Sequence, residues 1–249
     1  MLQQTQSPRV IAPWTTFLER FPTPRSCAEA PLSDVLRLWS GLGYPRRARA
    51  LHTAARQMVS DHDAAVPSTY EQLRQLPGVG DYTASAVASF AFHLPRAVVD
   101  TNVGRVLARA IANRPLTAKE ARETARALLP RGDSSAFNQS MIDLGARFCR
   151  SSPACADCPM KKVCRWNIEG GVDPAPQSAG VSRPQSRFAG SDRQLRGTVL
   201  KQIQVRPVPP GRLRAAFRDI EEARYRGVLE SLERDGLIVI DELVRLVGD

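Results

Sequence analysis

Four cysteines, Cys149, Cys155, Cys158 and Cys164, fall within sixteen residues, with Pro159 directly after the third. This run constrains the fold more than any other feature, because thiols so close in sequence can converge on one centre at almost no loop-closure cost. As thiolates they are strong ligands for iron–sulfur clusters or zinc. Disulfides and unrelated buried thiols are the competing explanations. Only Cys27 stands outside the run and no apolar leader is read at the start, so a reducing compartment is expected and a metal centre is favoured. Zinc sites commonly use two short Cys pairs, whereas only Cys155 and Cys158 are separated by two residues here. The spacing therefore favours a cubane [4Fe-4S] cluster over zinc.

With 249 residues, 43% of them hydrophobic, the chain can bury one large or two modest cores, and no apolar run is long enough to span a bilayer. A soluble cytoplasmic protein with no membrane partner is expected. The net charge of +10 points to a polyanionic partner. Its distribution sharpens that reading: residues 1–166 carry 22 Lys and Arg against 13 Asp and Glu, while residues 167–249 carry 13 against 12. The excess lies with the thiols and gives salt-dependent phosphate affinity, without sequence preference.

Between Pro31 and Phe148 apolar residues recur at helical spacing, separated by short loops. Ser33 is expected to cap a helix carrying Val35, Leu36 and Trp39, closed by Gly41 and Gly43. A helix from Arg47 follows, then helices at 69–75, 82–92, 101–112, 117–128 and 134–148. The fold class is all-α. Residues 167–190, rich in Gly, Pro, Ser and Gln, have the composition of a flexible linker. Beyond it, Asp192–Gln204 and Glu221–Asp235 read as helices and Leu237–Ile240 as a strand, so residues 191–249 are expected to form a small winged-helix-like module.

Leu76-Pro77-Gly78-Val79-Gly80 separates two helical segments. Its glycines permit positive φ, and the amides of the next helix suit a DNA phosphate. An ordinary tight turn is the plainer alternative. Asp100 precedes Thr101-Asn102-Val103 at a helix start. It is either a simple N-cap or an anionic carboxylate, favoured there by the helix dipole, able to stabilise a developing cation. Glycosidic cleavage through an oxocarbenium-like state has that requirement.

These motifs, with Met1-Leu2-Gln3-Gln4-Thr5-Gln6 and Gly41-Leu42-Gly43-Tyr44 before them, occur in the order seen in A/G-specific adenine DNA glycosylases of the MutY type. The chain thus resembles a branch of the helix-hairpin-helix superfamily that also holds endonuclease III. The likeness covers residues 1–166, and it implies that the four cysteines hold a [4Fe-4S] cluster. It implies further that a monomer acts on double-stranded DNA at A:8-oxoguanine or A:G mispairs, associated with the nucleoid. By resemblance Asp100 is the catalytic Asp, expected to stabilise the sugar cation after adenine departs, with Asn102 close by, and Tyr82 stands where bifunctional relatives carry a Schiff-base Lys. Gln3 belongs to the same DNA-binding motif; Gln4 and Tyr44 match wedges into the base stack, Thr5 and Leu42 match 8-oxoguanine contacts, and Gln139 matches a reader of the flipped adenine. Gly78, Val79 and Gly80 form the hairpin. Arg147, Arg150, Lys161, Lys162 and Arg165 can face phosphate from the cysteine loop.

Some positions depart from the family pattern. The family Glu that protonates adenine stands two residues before the Met that is Met1 here, so the resemblance implies a native start further upstream and an inactive chain as written. The gap after Cys149 is one residue shorter than the family's, and Pro45 replaces a common Tyr. The C-terminal piece is unlike the Nudix-like domain of longer relatives. The competing functions are an endonuclease III-like pyrimidine glycosylase and lyase, against which Tyr82 and Asn102 argue, a DNA-binding homologue without catalysis, and a zinc-dependent transcription factor, which would be colourless.

Overall fold

Helical periodicity dominates the chain, and the computed structural model, which describes residues 1, 2, 5, 7–181 and 187–249, follows it. Helices α1 (Ile11–Arg20), α2 (Pro24–Glu29), α3 (Leu32–Leu38) and α4 (Arg46–Asp61) come first. Helices α5 (Tyr70–Gln75) and α6 (Asp81–Phe90) flank the glycine turn. The helix expected over 101–112 splits into α7 (Thr101–Val106) and a π-helical segment, Leu107–Ala112, which ends on Asn113 in the left-handed region. Then come α8 (Ala118–Ala127), α9 (Ser134–Arg147), the cysteine loop and α10 (Arg165–Glu169). The C-terminal part holds α11 (Asp192–Ile203), α12 (Pro210–Ala215), α13 (Glu222–Arg234) and an antiparallel hairpin of β1 (Ile238–Ile240) and β2 (Val244–Leu246).

Side-chain caps set several starts: Thr23 and Thr117 each close a capping box, with Ser26 and Glu120, and Asp133 and Ser191 accept backbone N–H bonds. The cap expected of Ser33 is not made. Pro31 precedes the first turn of α3 and ends the extended entry, and Ser33 is buried inside the helix.

The described chain divides into two units, one of residues 1–67, 76–78 and 186–249, the other of residues 68–75 and 79–185. In the first, Phe17, Phe21, Val35 and Trp39 share one core with Val199, Ile203, Leu232 and Leu246. Burying such side chains stabilises by about 1.5–3 kcal/mol each. Residues 191–249 form three helices and a hairpin, with a bridge from Val208 to Val244, and their core is continuous with that of α1–α4. In the second unit Val103, Leu107, Leu116, Ala121 and Ala125 form the core, and α9 packs on α7 at Gly145.

The linker composition of 167–190 is misleading for its described part. Ala175 and Ser178 are buried, Leu116 N–H donates to Ser178 Oγ at 3.1 Å, and Ala179 N–H donates to the Leu116 carbonyl at 2.7 Å. Small residues here let backbone groups reach partners, which a hydrophobicity pattern does not register. No described helix is long and apolar enough to cross a membrane.

Candidate active site

Asp100 ends an extended segment and caps α7, with φ −99° and ψ −175°. Val103 N–H donates to its Oδ1 at 2.8 Å and Asn102 Nδ2 to its Oδ2 at 2.7 Å, and the residue is half-buried. Both roles foreseen for it are therefore compatible: the cap fixes the carboxylate while leaving it accessible. Asn102 is held in turn by Arg105, whose Nη2 donates to Asn102 Oδ1 at 2.6 Å and to the Gly145 carbonyl at 3.1 Å. Arg105 Nε donates to the Cys149 carbonyl at 2.7 Å. Asp100 is thus connected through two side chains to the start of the cysteine loop.

Tyr82 lies in the first turn of α6. Burial, and then the negative charge of Asp100, push its hydroxyl above the usual tyrosine value. The side chain at this position is a phenol, with no amine to form a Schiff base. Gln139 is exposed on α9, where its Nε2 donates to Asp143 Oδ1 at 3.0 Å.

The α5–α6 connection has the expected turn. Gly78 has φ +75°, and a Cβ there would come within 2.7 Å of Ala50 Cβ, so the position needs glycine on both counts. Gly80 occupies the N-cap of α6 and supplies no side-chain cap, and the Val79 carbonyl accepts from Arg74 Nη1 at 2.7 Å.

In the first unit, Tyr44 is exposed and sits in the left-handed region at φ +49°, following Gly43 at φ +71°. Arg47 organises this loop: its guanidinium donates to Thr5 Oγ1 (3.1 Å) and to the carbonyls of Leu42 (3.1 Å), Gly43 (3.2 Å) and Met1 (3.2 Å). It also lies 5.4 Å from the Trp39 ring centroid and 5.6 Å from that of Tyr44. Thr5 Oγ1 donates to the Leu42 carbonyl at 3.0 Å. The Leu42 side chain is 4% exposed and belongs to the core, while its carbonyl accepts from Thr5 and Arg47 in the loop. Gln3 and Gln4 lie outside the described residues.

All four cysteines of the loop are free thiols and line one pocket, together with Val106, Arg109 and Trp166. Cys27 is apart from them, buried in the first unit's core, where burial raises its thiol to about 11. Among the described residues no group of three or more His, Cys, Asp or Glu side chains is placed to hold a single metal ion. The thiols surround a space instead of meeting at a point, and Arg109 Nη1 lies 3.5 Å from Cys149 Sγ as a donor. A cationic donor at sulfur suits a thiolate ligand. Of the five basic residues expected to face phosphate, all are exposed, although Arg165 is paired with Glu169 at 2.9 Å and Lys161 donates to the Ala156 carbonyl.

Four residues that bond to the candidate site or the cysteine loop carry no motif signal: Arg47, Arg105, Arg109 and Asp173. Arg109 is 1% exposed. Burial opposes its charge, but hydrogen bonds to Asp173 and Cys149 outweigh that and hold the guanidinium protonated. The usable signal was its position among Val106, Leu107 and Ala110, where an unpaired arginine is not tolerated.

A glycine hairpin between helices, a capped carboxylate at the next helix start and a four-cysteine loop define a helix-hairpin-helix DNA repair fold. The model of the HhH-GPD superfamily of base excision DNA repair proteins matches residues 1–131, and the chain belongs to that superfamily. It is 39% identical over 258 residues to the adenine DNA glycosylase of Mycobacterium tuberculosis (strain ATCC 25618 / H37Rv), a match that spans 100% of this chain and 83% of that protein. It is 40% identical to the adenine DNA glycosylase of Mycolicibacterium smegmatis over 96% of this chain and 81% of that one. The structure of a thermostable thymine-DNA glycosylase is similar with a TM-score of 0.62 at 29% identity, covering 68% of this chain and 80% of that one.

Proposed function

We propose that the protein is a monofunctional adenine DNA glycosylase, which hydrolyses the N-glycosidic bond of adenine mispaired with 8-oxoguanine or guanine in duplex DNA. The observation that carries this reading is the pairing of the fixed, accessible carboxylate of Asp100 with Asn102. Adenine inside a duplex is out of reach, so the base must be extruded, with the unstacking cost recovered from pocket and phosphate contacts. The glycine hairpin and exposed basic residues of the cysteine loop supply phosphate contacts, Tyr44 the wedge, and Gln139 a contact to the flipped base. As the base departs the sugar becomes cationic, and Asp100 stabilises it until water adds. Without an amine at Tyr82 the reaction stops at the abasic site.

Departure of adenine is favoured by its protonation, and a general acid contributes about 10²–10⁴ in rate. Cys149, Cys155, Cys158 and Cys164 would hold a [4Fe-4S] cluster, and the donor at Cys149 Sγ fits that assignment. When bound, the cluster staples the loop. The glycosylase domain is assigned to residues 1–166, and the protein is expected to act as a monomer on the nucleoid in the cytoplasm.

Single-turnover assays on A:8-oxoguanine and A:G duplexes test the reading, comparing this chain with one extended upstream to include the Glu, each with and without borohydride. Adenine release without a trapped adduct is expected. A covalent adduct would make the protein a lyase of the endonuclease III kind, and binding without base release by either form would make it a non-catalytic homologue.

A further inference from the structure

The segment that follows the cysteine loop bonds to both ends of the catalytic helix region. At one end Asp173 takes the Arg109 guanidinium in a fork, accepting from Nε at 2.8 Å and Nη2 at 2.6 Å. At the other, Thr101 Oγ1, next to Asp100, donates to the Gly180 carbonyl at 3.0 Å. Between them Ala175 N–H donates to Asp173 Oδ1 at 3.0 Å, and Ser178 and Ala179 pair with Leu116.

The fork fixes the plane of the guanidinium, and that plane decides what the remaining donors reach. Nη1 donates to the Arg150 carbonyl at 2.6 Å, the Cys149 carbonyl at 3.4 Å and Cys149 Sγ at 3.5 Å. Nη2 donates to the Ser151 carbonyl at 3.3 Å, and the Trp166 ring centroid lies 5.4 Å from the cation. Carbonyls of three consecutive residues, 149–151, and the first thiol of the run therefore converge on one buried cation. Arg109 lies in the π-helical segment Leu107–Ala112, whose Leu107, Ala108 and Ala110 are buried with it.

We propose that Asp173 is a positioning residue for the cysteine loop: by clamping Arg109 it holds Cys149 and the following backbone in the arrangement that ligates the cluster. The proposal rests on reading the four thiols as cluster ligands. Removing the clamp leaves the buried cation held by the loop carbonyls and Trp166 alone, with no carboxylate to fix its plane, so the anchoring of the loop weakens while the thiols remain.

The test is the rate at which a ferrous chelator strips iron from the purified holoprotein, followed by the thiolate-to-iron charge-transfer absorption, in the parent, Asp173→Asn, Asp173→Glu and Ser178→Ala. Partners that orient metal ligands typically contribute 10–100-fold to metal affinity. Iron loss at least about tenfold faster in Asp173→Asn, with Glu restoring retention and Ser178→Ala unchanged, supports the proposal. Parent-like retention in Asp173→Asn overturns it, and so does equal loss in Ser178→Ala, which would make any loosening of the segment sufficient. Should Asp173→Asn fail to fold, Arg109→Lys takes its place, since it keeps the charge without the fork; unchanged iron release there also overturns the proposal. A parent without iron would instead remove the cluster reading on which the proposal stands.

Discussion

Gly145 leaves no room for a side chain against Asn102: a Cβ at position 145 would stand 2.5 Å from the Asn102 carbonyl oxygen and 2.6 Å from its Cβ. Because Asn102 holds the Asp100 carboxylate, helix contact and catalytic geometry meet at one glycine. Gly145→Ala must push α9 away from α7 and shift Asn102. Overpacking of this kind destabilises by about 1–3 kcal/mol, so urea denaturation should show a lower midpoint, and adenine release should slow beyond what unfolding explains.

Asp100→Asn separates the cap from the charge. Asparagine caps helices as well as aspartate does, so thermal stability should stay close to the parent value. Loss of the negative charge should slow adenine release at least about 100-fold in the active form, with duplex binding retained. A variant that binds and turns over like the parent would remove Asp100 from the mechanism.

Tyr44 and Arg47 should separate into different kinds of variant. Stacking of an aromatic on a base is worth about 1–3 kcal/mol, so Tyr44→Ala should weaken binding to an A:8-oxoguanine duplex by about 5- to 150-fold with little change in melting temperature. Arg47→Ala removes one donor each from the Met1, Leu42 and Gly43 carbonyls and from Thr5 Oγ1, of which the Leu42 carbonyl keeps the Thr5 hydroxyl and the Gly43 carbonyl keeps Trp39 Nε1. It should lower stability by about 2 kcal/mol or more, read by denaturant titration, and weaken binding as a consequence.

The capping box of α8 gives a pH signature. Backbone and side-chain hydrogen bonds from Thr117, and then Arg114, hold the exposed Glu120 carboxyl at about 2, against an ordinary value of 4.5. The folded chain therefore binds fewer protons than the unfolded chain between those values. The contribution is complete above about 4.5 and is lost as pH falls through about 2. Melting temperature measured against pH should fall less steeply over this interval in Glu120→Gln than in the parent.

Much of the site was readable because its parts are local. Asp100 before Thr101-Asn102-Val103 is both a cap signal and a motif, and the Pro-Gly-x-Gly turn and the cysteine spacing are contained in a few residues each. What stayed hidden depends on partners far apart in sequence. Arg109 and Asp173 are 64 residues apart, and nothing in either neighbourhood announces the other. Leu42 could be read as a DNA contact or as a packed side chain, because a motif gives identity without sidedness, and its burial in the core was not legible. The segment after the cysteines looked like linker because its anchors are backbone groups, small residues and one carboxylate. The continuous core of the first unit was equally invisible, since each contributing segment is simply amphipathic when read alone.

That core has a consequence for how the molecule is made. Phe17 and Trp39 wait on Ile203, Leu232 and Leu246 for their packing, whereas residues 79–185 of the second unit are consecutive. During synthesis the interior stretch can close early, while α1–α4 keep apolar surface exposed until residues 195–246 have left the ribosome. Newborn chains stalled before that point should be the ones that chaperones capture and that aggregate first.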